Sequence, residues 1–165
     1  MFDAFSMRAR QIVFAARFKA GERGANLIEV EDFLLGLVLE DQGLLEQTVF
    51  STLHGGQGTP VNRAPSHAPF FTPDVAQSLV TKIDELAPQM EPIALATEIP
   101  LSPALVRVFG SANTFQGQFP YGPVEPLHLL AGILTDESNR CATLLKEFGI
   151  TTDRVKQQLG CIGGN

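Results

Sequence analysis

Glu29-Val30-Glu31-Asp32-Phe33-Leu34-Leu35-Gly36-Leu37 and Glu125-Pro126-Leu127-His128-Leu129-Leu130-Ala131-Gly132-Ile133 are two versions of one pattern, 96 residues apart. In each, an acidic residue precedes a short apolar helix that carries a Gly at the same depth. A repeat at a fixed offset constrains a fold before any single element does. Extended outward, residues 5–53 align with 101–149 without a gap. The expectation is an all-α chain of about eight helices in two pseudo-symmetric four-helix repeats, with no convincing strand anywhere.

Working along the first copy, Ser6 is a good N-cap and Gly24 a natural stop, so a helix is predicted between them. Ala9, Ile12, Val13, Ala16 and Ala20 recur at helical spacing on one face. Turning about 100° per residue places Met7, Phe14 and Phe18 on nearly the opposite face. A second helix is predicted from about Val30 to Leu39 and a third from about Leu44 to Leu53. Residues 55–72, rich in Gly and Pro, read as a linker. It ends in Phe70-Phe71, after which Thr72-Pro73 opens a helix through Leu86. Pro88, Pro92 and Pro100 break up the stretch that follows. In the second copy, Gly110, Asn113, Thr114 and Gly117 lower helix propensity, so its first helix is expected to be shorter or frayed towards Pro120. Helices from Pro126 to about Leu134, Arg140 to Phe148 and Asp153 to Leu159 complete the chain. The division is one domain over 1–165, with repeat one at 1–54 plus the helix at 73–87, and repeat two at 101–162.

Composition excludes several function classes. The 165 residues carry a formal net charge of −6, with four lysines (Lys19, Lys82, Lys146 and Lys156). Nucleic-acid backbone binding needs clustered Lys and Arg, so no nucleic-acid partner is expected. No stretch is long and apolar enough to span a membrane, and the N-terminus has no basic region leading into an apolar run. Cys141 and Cys161 are not in C-x-x-C spacing, and a reducing, cytoplasmic compartment is expected. No lysine follows a glycine, so there is no phosphate-cradling G-x-x-x-x-G-K-[ST] loop. His54, His67 and His128 are scattered, and no metal site or cofactor is expected. No G-x-S-x-G nucleophile motif occurs, and no enzymatic activity is expected. Glu40-Asp41 and Asp136-Glu137 fall at equivalent turns and read as a structural turn or a solvated face, not as an acid–base couple.

Phe5-Ser6-Met7-Arg8-Ala9 followed by Ile28-Glu29-Val30-Glu31-Asp32-Phe33-Leu34-Leu35-Gly36-Leu37, with Leu101-Ser102-Pro103 and Val124-Glu125-Pro126-Leu127-His128-Leu129-Leu130 in register, resembles the N-terminal domain of Clp-type AAA+ unfoldases, the double Clp repeat. The resemblance covers nearly the whole chain except the linker. It implies a non-enzymatic domain that recognises client polypeptides or adaptor proteins for an ATP-dependent unfoldase–protease. That domain is either a stand-alone regulator docking on a Clp ATPase or protease, or a segment of a longer unfoldase. Some family members hold phosphoarginine between paired Glu residues; here Glu31 stands at one of those positions and Leu127 at the other. The resemblance also implies a binding cleft between the first helices of the repeats, at Phe2, Val13 and Arg17 and at Leu101, Val106 and Gly110.

The sharpest candidate surface is the face carrying Met7, Phe14 and Phe18, edged by Arg10 and Arg17. Either Phe70-Phe71 folds back and covers it, or it binds an apolar segment of a partner with some acidic residues. Glu31 is either a first-turn acid placed on the helix dipole or a partner contact. His128 is expected to be buried, anchoring its helix start. An enzyme on a helical scaffold, a DNA-binding regulator and an oligomerisation unit remain as alternative classes.

Overall fold

The computed structural model describes residues 2–50, 68–87, 89–94, 97–118 and 122–163. Eight helices follow one another: α1 (Met7–Glu22), α2 (Val30–Asp41), a π-helical turn α3 (Glu46–Phe50), α4 (Pro73–Leu86), α5 (Pro103–Gln118), α6 (Pro126–Thr135), α7 (Arg140–Glu147) and α8 (Thr152–Gly163). The expected all-α architecture is what is found; two isolated parallel bridges, Phe5–Val124 and Ile28–Leu101, are its extended pairings among the described residues.

Those bridges carry the symmetry in hydrogen bonds. Ser6 N donates to Val124 O and Val124 N to Ala4 O, at 3.0 and 2.7 Å; Ser102 N donates to Ile28 O and Ile28 N to Pro100 O, at 2.9 and 2.8 Å. Every partner in one set is the 96-residue counterpart of a partner in the other. Each bridge joins the start of one repeat to the approach of the other repeat's second helix, so the halves are laced together rather than merely packed.

Both repeats begin with the same device. Ser6 Oγ accepts from Ala9 N and Ser102 Oγ from Leu105 N, each at 3.1 Å, which satisfies one orphan donor of α1 and of α5. The first two helices of each repeat then meet at a glycine. A Cβ on Gly36 would stand 3.1 Å from Ile12 O, and one on Gly132 only 2.5 Å from Val108 O. At Gly132 a side chain would collide with backbone, and at Gly36 it would fit only tightly.

α2 is the hub of the fold. All twelve of its residues are buried, four of them carboxylates. Burying a charge is costly unless it is paired, and each of the four is. Glu31 meets Arg140, Asp32 meets Arg23, Glu40 meets Arg8, and Asp41 accepts the backbone N–H groups of Phe70 and Phe71. Glu40 thus turns out to be structural, as its place in the turn implies.

α5 departs from expectation. It runs for 16 residues, the same as α1, because Leu105, Val108, Phe109, Ala112 and Phe115 are all buried. Packing of that stripe overrides the weak propensity of Gly110, whose added Cβ would meet nothing within 4 Å. α8 extends past the expected Leu159 to Gly163. Fraying near Pro120 and the third helix beyond Phe50 lie outside the described residues, as does residues 55–67 of the linker.

Candidate functional site

The face of α1 expected to bind a partner is divided by the structure. Met7 is 70% exposed and Phe14 41%, with Arg10 exposed between them, whereas Phe18 is buried at 8%. Arg10 Nη2 donates to Asp3 O at 3.2 Å, keeping its guanidinium beside the N-terminal approach. Val13 is half-buried against the core.

The C-terminal end of α1 is crossed by the segment 89–94. Met90 N donates to Arg23 O at 2.7 Å and Ile93 N to Gly21 O at 2.8 Å. Arg17 Nη2 donates to Ala94 O at 3.0 Å and also to Thr97 O. A Cβ on Gly24 would stand 2.2 Å from Glu91 O, and Gly24 adopts φ +75°, so both the crossing and the helix exit require glycine there. Arg17 therefore ties down this strap. Phe70 and Phe71 do not cover the α1 face: Asp41 holds their N–H groups at 2.7 and 3.1 Å, at the end of α2.

The residues assigned to a cleft between the first helices are dispersed. Phe2 lies in an aromatic cluster, edge-on to Phe5 at 5.4 Å and Phe109 at 5.8 Å. Leu101 is half-buried in the inter-repeat bridge. Val106, 44% exposed, and Gly110 stand on the outer surface of α5. Met7, Arg10 and Phe14 thus share a surface, Phe2 and Leu101 belong to the seam, Arg17 bonds the strap and Phe18 is buried in the core.

Two recesses open where the repeats meet. The first, about 560 Å³, is bounded by Val30 and Glu31 of α2, Ala104 of α5, Met90 of the strap and the Ser138–Arg140 approach to α7. Within it Arg140 Nη2 stands 3.1 Å from Glu31 Oε1, and Glu31 is 8% exposed. The carboxylate lies in the first turn of α2 and pairs with a guanidinium that is itself largely exposed. The second recess, about 240 Å³, is bounded by Pro126, Leu127 and Leu130 of α6, Arg8 of α1, Leu37 and Asp41 of α2, and Phe70-Phe71. The sequence reading missed the second recess and the role of Arg140. The 96-residue offset was the available signal, since it pairs Leu127 with Glu31.

Two N3 side chains fix the starts of α2 and α6. Asp32 Oδ2 accepts from Glu29 N at 2.9 Å, and His128 Nδ1 accepts from Glu125 N at 2.8 Å. Asp32 also takes both nitrogens of Arg23 at 2.7 and 2.6 Å, and that hydrogen bonding raises the guanidinium's pKa. His128, 4% exposed, is neutral in this geometry because Nδ1 is an acceptor; burial lowers its pKa. It anchors the helix start, as expected. Cys141 is a free buried thiol whose pKa burial raises. Among the described residues no group of His, Cys, Asp and Glu is arranged to hold a metal ion, and no helix is long and apolar enough to cross a membrane.

No family model matches the chain. Among curated proteins it is 25% identical over 158 residues to the chloroplastic chaperone protein ClpD2 of Oryza sativa subsp. japonica, and 22% identical over 165 residues to the chloroplastic ClpC of Pisum sativum. Each similarity covers 96% of this chain and 15% of the relative, so the chain spans about 15% of the length of the curated proteins it matches. Among solved structures, the N-terminal domain of ClpD from Arabidopsis thaliana gives a TM-score of 0.62 at 17% identity, covering 96% of this chain and 99% of that one. The Hsp104 N-terminal domain of Candida albicans gives 0.63 at 20% identity, with 98% and 93% covered. A structure described as part of a malarial protein secretion system gives 0.65 at 17% identity, with 94% and 92% covered. The fold is that of the Clp and Hsp104 N-terminal domains, and the double-repeat resemblance read from the motifs extends over nearly the whole chain.

Proposed function

We propose that this chain is a polypeptide-recognition domain of a Clp-type ATP-dependent unfoldase system, engaging client segments or adaptor proteins and performing no reaction itself. The observation that carries the reading is the surface of α1, which presents Met7, 70% exposed, and Phe14, 41% exposed, on either side of Arg10; with Met90 and Val106 they are the exposed large apolar side chains among the described residues. Aromatic and Met anchors beside an Arg are the composition of energetic centres at protein interfaces. The shared fold with Clp and Hsp104 N-terminal domains supports the same reading. Val106 on α5 is a further candidate contact, while Phe2, Leu101, Val13, Phe18 and Arg17 act by shaping and bracing the surface. Glu31 is proposed to serve the fold through Arg140 before any partner. The compartment is read as the cytoplasm; localisation of the tagged protein to a chloroplast, as in the names of the relatives, would replace that reading.

The test is fluorescence anisotropy with fluorescein-labelled casein as a permanently unfolded client. The double variant Met7→Ala, Phe14→Ala is expected to weaken binding by roughly tenfold or more, the effect of losing anchor side chains. Unchanged binding by a folded double variant would refute the assignment of this surface.

A further inference from the structure

This chain keeps its described methionines out of the core. The buried cluster is built of Phe, Leu, Ile, Val and Ala with Cys141, and no Met stands in it or among the half-buried side chains packed against it. That is the reverse of the residue's usual employment as an adaptable core filler. Of the three methionines in the sequence, the two described, Met7 and Met90, are 70% and 62% exposed.

This placement decides what a small oxidant meets first. A thiol reacts as its thiolate, and Cys141 is fully buried, with burial holding its proton in place. A thioether needs no deprotonation and reacts where the oxidant can reach it. Met7 and Met90 are therefore open to oxidation while Cys141 is shielded. The two differ in their surroundings. Met90 belongs to the strap, where its N–H donates to Arg23 O at 2.7 Å, and it borders the first recess. Met7 is the first residue of α1, directly after the Ser6 cap, and Arg10 and Phe14 follow it on the same helical face.

We propose that Met7 is a reversible oxidation site through which a hydroperoxide weakens the hold of this domain on client polypeptides. The inference names a regulation of the α1 surface and rests on the polypeptide-recognition reading of it. The Met7 sulfur lone pair attacks one peroxide oxygen, so that an S–O bond forms as the O–O bond breaks. The sulfide loses two electrons and becomes the sulfoxide; with hydrogen peroxide, the departing hydroxide takes the proton of the transferred oxygen and leaves as water. An apolar anchor thereby becomes a polar acceptor, which is costly wherever a partner buries it without a donor. Phe14 is untouched, so the surface is weakened and not erased. Met7 lies outside the buried cluster, so the fold does not depend on its oxidation state. The same exposure leaves the sulfoxide accessible to methionine sulfoxide reductases, one enzyme for each epimer.

The test treats the full chain with hydrogen peroxide, destroys the excess with catalase, and only then adds fluorescein-labelled casein, so that the client is never oxidised. Peptide mass mapping should show an oxygen gained at Met7 and at Met90. Casein affinity should fall about fivefold, and the two reductases together should restore it. Met7→Leu, whatever its starting affinity, should lose the response to peroxide, whereas Met90→Leu should keep it. Met7→Gln, permanently polar, should match the oxidised parent without peroxide. The urea midpoint should be the same before and after treatment. An equal loss of affinity in peroxide-treated Met7→Leu, a loss that the reductases do not reverse, a lowered urea midpoint, or full affinity in a chain carrying the Met7 sulfoxide would each overturn the proposal. Binding that ignores peroxide but falls in Met7→Ala, Phe14→Ala would remove the oxidation site alone and leave the α1 surface in place. Binding that ignores both would remove the α1 assignment and the oxidation site with it.

Discussion

Three glycine-to-alanine replacements on helices should move stability in different directions, because space and not propensity sets the sign. Alanine is favoured over glycine in a helix interior by about 0.8–1 kcal/mol. At Gly110 the added Cβ meets nothing within 4 Å, so Gly110→Ala should realise that gain in full. At Gly132 the Cβ would stand 2.5 Å from Val108 O and 3.2 Å from Ala112 N, both backbone atoms of α5. Relief requires moving α6 away from α5, across a contact lined by fully buried Leu129 and Ile133. Overpacking of that kind costs about 1–3 kcal/mol, which outweighs the propensity gain and leaves a net loss of roughly 1–2 kcal/mol. Gly36→Ala falls between, with its closest approach at 3.1 Å, and should be near neutral or mildly destabilising. Urea unfolding followed by circular dichroism at constant m-value gives all three differences. In a chain of this size about 1 kcal/mol corresponds to roughly 2–4 °C in Tm, well within reach of a thermal scan. Gly132→Ala at least as stable as the parent, or less harmful than Gly36→Ala, would refute the close-approach argument.

Asp32→Asn should destabilise by about 3–5 kcal/mol, because it leaves the buried Arg23 guanidinium without its counter-charge; a loss under about 1 kcal/mol in urea unfolding would contradict that account. For His128 the folded pKa lies below the ordinary 6.5, so the unfolded chain takes up the proton first. Stability is therefore complete above pH 6.5 and falls as pH drops below it, until the folded-state pKa is passed. Protonation would also remove the Nδ1 acceptor from Glu125 N. The urea midpoint should decline from pH 7 towards pH 5.5 in the parent and do so less steeply in His128→Gln, which keeps an acceptor at N3; equal slopes would remove His128 from the explanation.

The parts of the fold legible in the sequence were the local and periodic ones. Ser6 and Thr72 read as N-caps, and both side chains accept the expected N–H groups. Gly36 and Gly132 at matching depth read as a repeat, and each proves to be a helix contact. Non-local partners were not legible. Phe14 and Phe18 share a face by helical geometry, yet Phe18 is buried and Phe14 is 41% exposed, and a strap of residues 89–94 crosses the end of α1. Pro92 within it, with Pro88 and Pro100 flanking, marked an irregular segment without saying where it lies. Gly21 and Gly24 are the residues that admit it, but a glycine near a helix end reads first as a stop signal. Phe70-Phe71 was visible as an apolar pair; its destination depended on Asp41, whose own sequence context left a structural turn and a solvated face both open. α5 was underestimated because propensity was weighed without its buried stripe.

The offset also separates what holds this molecule together from what it can present to others. The bridges, the serine caps, the N3 acceptors at Asp32 and His128, and the glycine contacts recur in both halves. A chain duplicated for stability alone would have no physical reason to let its other equivalent positions drift in concert. Yet Glu31 and Arg140 answer to Leu127 and Leu44, and the open mouth beside Glu31 answers to a slot walled by Phe70 and Phe71. Coordinated exchange of an ion pair for an apolar pair keeps each half free of stranded charge, so it carries no stability penalty that would select against it. What it changes is the surface offered at two related mouths, one of about 560 Å³ that carries the Glu31–Arg140 pair among apolar neighbours, the other of about 240 Å³ with Leu127 in place of the acid.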